Sequence, residues 1–243
     1  MPQDNFLQRK QDILSKQDKS SKQSWDEKIK DLCEKINQKE NYYTTSSCSG
    51  RVVVMLDKEK KGPCLFKFVS HDLLDFNKFM KDLNKIASFH SVVNNKQLMK
   101  NPRDNNNNNL IEKSGEGGYL HNITSKTMMQ AREDSRTIKS RTKQDGLIKF
   151  KQEPCILHVS CRTLKDAQNL LNKAKLAGWK RSGIISSEKR FIVELNGTEK
   201  LEFPLMLKGK ILVNEIFLKI VLEKANENLK KSWEKIQKFE KSL

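Results

Sequence analysis

Two short segments of this chain concentrate side chains able to do polar chemistry. The first is YYTTSSCSGR, residues 42–51, in which short hydroxyl and thiol side chains run from Thr44 to Ser49 and lead through Gly50 to Arg51. Hydroxyls donate and accept at short range, and a guanidinium offers a planar fork for phosphate or carboxylate. In an extended chain Thr45, Ser47, Ser49 and Arg51 share one face, with Ser46 on the other. Gly50 lets a ligand or a neighbouring backbone come close. Such a segment is either a cradle for a polar ligand or a surface strand with a bulge at Gly50, and the residues alone do not choose. The second segment is HVSCR, residues 158–162, where His158, Ser160 and Arg162 alternate onto one face and Leu157, Val159 and Cys161 onto the other. It feeds directly into a helix, whose free N–H groups favour an anion. His158 is suited to proton transfer near neutral pH, although a lone histidine is more often a hydrogen-bonded, half-buried one. His71, closing FVSH, is the other histidine beside ordered polar sequence. In GWKRSGI, residues 178–184, Trp179 either stacks on a base or packs beneath the preceding helix, and packing is the favoured role.

These groups need elements to hold them. Residues 42–56 read as one strand and residues 64–71 as a second, after a turn at Gly62-Pro63. A helix follows with Phe76, Phe79, Met80, Leu83 and Ile86 on one face. Two further strands meet near Glu153-Pro154, since proline removes a ladder donor. Thr163 and Asp166 then form a helix cap, which makes Asp166 a cap rather than a base, and Gly178 stops that helix. Strands GIISS, KRFIVELN and KLEFPLM come next. The chain closes on a long helix with Ile216, Ile220, Leu229, Trp233 and Ile236 as its apolar stripe and lysines opposite. Two basic helices occupy the first forty residues. This order predicts an α+β fold with a mixed sheet flanked by helices. No G-x-G-x-x-G follows a strand, so a Rossmann-type phosphate turn is not expected. Residues 1–90 and 146–243 read as two parts of one domain. Residues 91–145, with NPRDNNNNNL and GEGG, read as a low-complexity, disordered insert.

Composition narrows the partners. With 47 Lys+Arg against 30 Asp+Glu, the formal charge is +17, which favours nucleic acid over a membrane surface. Five cysteines without C-x-x-C spacing give neither a disulfide framework nor a zinc signature, so no metal is expected. The absence of an apolar leader or a spanning run points to a reducing, cytoplasmic setting without a membrane partner.

Several of these segments, in this order, also resemble the tRNA wybutosine-synthesizing protein 3 family. They are DKSSKQSWDEKI, YYTTSSCSGR, VSH, KFKQEPCILHVSCRTLKDAQNLLNKAKLAGWKRSGII, KRFIVEL, LEFPL, and the final helix with Ala225-Asn226. The resemblance covers nearly everything outside residues 91–145. It implies a non-Rossmann methyltransferase that uses S-adenosylmethionine. The expected acceptor is N4 of the tricyclic guanine derivative beside the anticodon of phenylalanine tRNA, bound through its anticodon stem-loop. The family's motifs map onto Ser46, Ser47, Gly50 and Arg51, and onto His158, Arg162, Ser182 and Gly183. On this reading His158 and His71 are candidate bases. Arg51 is catalytic, and Ser46, Ser47, Gly50, Arg162, Ser182 and Gly183 hold the cofactor. Trp179 stands where phenylalanine is common, and Cys64-Leu65-Phe66 departs from the usual approach to His71. The alternative is a non-catalytic RNA-binding module, which would not bind the methyl donor saturably.

Overall fold

In the computed structural model, which describes residues 5–16, 26–57, 65–98, 146–187 and 190–243, the segment 42–56 is not one strand. It breaks at Ser49-Gly50 into β1 (Tyr42–Cys48) and β2 (Arg51–Leu56), and the two halves belong to different sheets. The chain before it forms α1 (Asn5–Leu14) and α2 (Glu27–Asn37). After it come β3 (Phe66–Ser70) and α3 (Phe76–Leu98). Then follow β4 (Ile148–Glu153), β5 (Ile156–Cys161) and α4 (Leu164–Leu176). Strands β6 (Gly183–Ser187), β7 (Arg190–Asn196), β8 (Leu201–Leu207) and β9 (Lys210–Ile211) precede α5 (Glu215–Ser242). Helix α3 continues to Leu98, past the boundary expected at residue 91. The remainder of the expected insert, residues 99–145, lies outside the described residues.

The class is α+β. The strands divide into a first sheet, β1-β5-β7-β6, and a second, β3-β2-β4-β8-β9. Every pairing among the described strands is antiparallel, where the sequence reading expects one mixed sheet. The reason lies in a corner shared by three segments. Cys48 pairs with Ile156 before it and Arg51 with Glu153 after it. Likewise Ile156 pairs with Asn196, and Gln152 with Leu201. One antiparallel ladder therefore bends from sheet to sheet at Ser49-Gly50, at Pro154-Cys155 and at Gly197–Lys200. Antiparallel neighbours need no crossover helix, so no parallel pair is required. Gly50 makes the bend possible. Its φ is +104°, and a Cβ there would lie 3.2 Å from the Glu153 carbonyl oxygen and 3.3 Å from Leu229 Cδ2. The close approach at Gly50 is thus by backbone and core.

All the helices except α1 pack on one side of this bent ladder. Leu157, Val159, Val193 and Leu195 of the first sheet meet Ile29, Leu32 and Ile36 of α2 and Leu170 of α4. Val52, Val54, Ile148 and Phe150 of the second sheet meet Phe79 and Leu83 of α3. Helix α5 spans both cores, with Leu218, Leu222, Ala225 and Leu229 in one and Ile236 and Phe239 in the other. Its apolar stripe corrects the sequence reading, because Ile216 and Ile220 are 73% and 61% exposed. Ile220 lies nine residues before Leu229, about 180° round a helix at 3.6 residues per turn, so it cannot share Leu229's face. Since α5 touches both sheets, their helix-free faces also lie on a common side. Among the described helices, α1 covers part of that side, through Phe6 against Tyr43.

Candidate functional site

The helix-free side of the first sheet carries a row of polar side chains. A bulge at Thr45 resets the phase of β1, so that Ser46 pairs with His158, His158 with Glu194, and Glu194 with Gly183. Neighbours in such a row stand close enough for direct side-chain contact. Ser46 Oγ lies 2.7 Å from His158 Nδ1, and His158 Nε2 lies 2.8 Å from Glu194 Oε2. The row ends at Gly183, where a Cβ would meet no described residue within 4 Å. The site thus has a hydrogen-bonded serine–imidazole–carboxylate chain beside open space.

The bulge puts Thr44 and Ser46, two residues apart, on opposite faces, with Thr44 opposite Val159 and Ser46 opposite His158. Ser47 turns to the helix side, toward the buried Cys33 thiol. Burial pushes that thiol up to about 12, against the lowering effect of Ser47. Burial likewise raises Cys155 and Cys161 to about 12, which leaves all three protonated and inert.

A second cluster sits at the corner. Asp26 caps α2, accepts the Ser49 backbone N–H at 2.9 Å, and lies 3.1 Å from His71 Nδ1. Cys48 Sγ is 3.7 Å from the same nitrogen. The hydrogen bond to Asp26, with a further contribution from Cys48, overcomes the opposing effect of burial and raises His71 to about 9. Burial disfavours the Asp26 carboxylate, but the hydrogen bonds from His71 and Ser49 outweigh it and hold Asp26 at about 2. The two form a half-buried ion pair at neutral pH, so free His71 is an imidazolium rather than a ready base. Asp26, Cys48 and His71 are also close enough to one another to surround a metal ion. Next to them Arg51 pairs with Glu153 at 2.7 Å and lies over the Phe66 ring.

Arg51 and His158 therefore stand on one side of the ladder without touching. Each has its own carboxylate, and His158 comes five positions after Glu153 along the β4–β5 segment, at most about 16 Å of chain. The other expected site residues go elsewhere. Arg162 pairs with Glu40 at 2.8 Å, at the end of the first sheet away from the corner. Ser182 Oγ donates to the Trp179 carbonyl and accepts from the Asn196 backbone N–H, which ties the α4–β6 connection to β7. Trp179 is fully buried and donates to the Lys235 carbonyl, so it packs. Asp166 completes a capping box with Thr163. Sequence reasoning missed Asp26 and Glu194. Asp26 shows only as the polar residue before a helix, in SWDEK. Glu194 shows only as the polar alternate in FIVELN, and its meeting with His158 depends on strand register.

The family described as "Methyltransferase TYW3" matches residues 8–243. The tRNA wybutosine-synthesizing protein 3 homolog of Xenopus laevis is 31% identical, over 99% of this chain and 75% of its own length. A protein of Thermococcus sibiricus named tRNA(Phe) 7-((3-amino-3-carboxypropyl)-4-demethylwyosine(37)-N(4))-methyltransferase is 31% identical, over 98% of this chain and 94% of its own. The solved structure of the PH1069 protein from Pyrococcus horikoshii superposes with a TM-score of 0.67 at 27% identity, covering 98% of this chain and 93% of that one. With nearly its whole length matched, the chain belongs to the Methyltransferase TYW3 family.

Proposed function

We propose that this chain methylates N4 of the 4-demethylwyosine-type guanine derivative beside the anticodon of phenylalanine tRNA, with S-adenosylmethionine as the donor. The observation that carries this reading is the 2.7 Å contact between Ser46 and His158. It joins the two polar segments, 112 residues apart, on a helix-free face with open space at Gly183. The named methyltransferase relatives supply the substrate.

The residues present fit the donor. Its amino-acid end carries one carboxylate and one ammonium, and the corner offers His71 and Arg51 beside Asp26 and Glu153. His71 Nε2 has no protein partner among the described residues, and the buried Ser49 hydroxyl has none either. Bound there, the sulfonium would supply an electrophilic methyl group. The open row from Ser46 to Gly183 then suits a planar tricyclic base, and His158 can take the proton that the ring nitrogen must lose. Holding the acceptor in line with the methyl is the larger part of the task, because orientation alone can contribute several kcal/mol. A base in a single-stranded loop can splay out onto such a face at modest cost.

The charge of the chain has a directional reading as well. The exposed lysines of α5 lie across the domain from the row, because α5 packs on the opposite side of both sheets. Arg9 and Lys10 of α1, with Lys149 and Lys151 of β4, are on or beside the site's own side. Lys149 and Lys151 are held there by Asp57 and Glu202. Anticodon-stem phosphates belong on that side.

Incubation with phenylalanine tRNA lacking this methyl and with labelled donor, followed by nucleoside mass analysis, should show one methyl gained at the tricyclic base. Arg51→Ala should fold and lose at least about tenfold in turnover. A wild-type protein that leaves the nucleoside unchanged would remove the reading.

A further inference from the structure

We infer that Ser46, His158 and Glu194 act as one proton relay, in which Ser46 Oγ, rather than the imidazole itself, touches the substrate proton and Glu194 is a positioning residue. The inference rests on the methyl-transfer reading for its substrate, while the wiring stands on the structure alone. His158 uses both ring nitrogens, Nε2 toward Glu194 Oε2 at 2.8 Å and Nδ1 toward Ser46 Oγ at 2.7 Å. A carboxylate only accepts, so Nε2 must carry the proton in neutral His158. Nδ1 is then the lone-pair nitrogen, and the Ser46 hydroxyl must donate to it. Ser46 is exposed on the open side of the sheet, which leaves its Oγ accessible to a substrate. Strand pairing fixes all three groups in one row, so the arrangement does not depend on a loop. The charged groups at the corner have partners of their own. His71 is engaged by Asp26 and Cys48, and Arg51 by Glu153.

The proton on the substrate nitrogen passes to Ser46 Oγ while the Ser46 proton passes to His158 Nδ1. The nitrogen keeps its electron pair for the new bond to carbon. The resulting imidazolium sits against Glu194, which stabilises its charge, and the proton later leaves to water. Ser46 thereby moves from the cofactor-holding role expected of it to contact with the acceptor.

Glu194→Gln is the decisive variant, since it keeps the size of the side chain and removes its charge. Nitrogen NMR of the labelled, ligand-free protein should show wild-type His158 as the Nε2–H tautomer, and the variant should lose that preference. In steady state the variant should lose at least about tenfold in kcat with KM for both substrates within about twofold. The acid limb of its kcat profile should move to lower pH, because imidazolium without Glu194 is less stable. A role confined to folding would move the melting temperature and leave that limb in place. Glu194→Asp should recover part of the loss. An Nδ1–H tautomer in wild type, or an acid limb unmoved in Glu194→Gln, overturns the relay. A wild-type protein with the Nε2–H tautomer but no methylation would retain the wiring and defeat the substrate reading instead.

Discussion

The ion pair at the corner makes stability depend on pH in a way that a single substitution isolates. His71 rises from 6.5 to about 9, and Asp26 falls from 3.8 to about 2. At about 1.4 kcal/mol per pH unit, the first corresponds to about 3.5 kcal/mol and the second to about 2.5 kcal/mol. The smaller figure is the better one for the pair, because the Cys48 thiol also contributes to the rise of His71. Neither side chain is more than 22% exposed, so solvent screening removes little of it. A raised histidine stabilises fully below its unfolded value of 6.5, and that contribution disappears as pH climbs through about 9. A depressed carboxyl contributes above 3.8, and its share is lost as pH falls through about 2. The pair is therefore fully effective between about pH 4 and 6.5. Asp26→Asn tests this cleanly, since asparagine caps helices as well as aspartate does and can still accept the Ser49 N–H. Urea unfolding at pH 6 should place wild type about 2 kcal/mol above the variant, beyond whatever difference persists at pH 10. Because both proteins share every other titrating group, the change in the gap belongs to this pair. A gap that is the same at pH 6 and pH 10 would refute the assignment of an imidazolium to His71.

Gly50→Ala should cost about 2 kcal/mol or more in unfolding free energy, from the positive φ and the contact with the Glu153 carbonyl; its melting curve checks this. Gly183→Leu fills space that nothing else occupies, so its melting temperature should stay near that of wild type while turnover falls at least about tenfold. Binding of phenylalanine tRNA should weaken as a power of salt concentration, since each neutralised phosphate releases counterion. Reversal of Lys149 and Lys151 to glutamate should flatten that slope, whereas reversal of exposed lysines on α5 should leave it nearly unchanged.

The strands were readable because period-two alternation survives even in short segments. Leu157, Val159 and Cys161 face the core, and His158 faces away from it, as alternation requires. Alternation failed where one residue was added. The bulge at Thr45 reverses the phase of β1, so that Thr44 and Ser46 face opposite sides and Ser47 turns to the helix side beside Leu157. Gly50 and Pro154 each announce a break in a strand. That both breaks fall at one level, and so fold a single ladder into two sheets, follows from register, which one sequence does not show. The same holds for Glu194. In α5 two stripes satisfy helical spacing, and only the phase relative to Leu229 and Ile236 separates the buried one from the exposed Ile216 and Ile220.

The site also divides attraction from recognition. Each of its basic groups already has a carboxylate, with His71 on Asp26, Arg51 on Glu153 and His158 on Glu194. A bare phosphate arriving there meets a negative charge beside every positive one. A zwitterion finds a partner for each of its charges, and a neutral ring that gives up a proton finds an acceptor with a countercharge behind it. The pull on a polyanion must then come from the rest of a chain carrying +17, acting over a Debye length of about 10 Å at moderate salt. Salt should consequently weaken RNA binding far more than it weakens binding of the methyl donor. Equal salt dependence for the two ligands would mean that the corner cations bind phosphate after all.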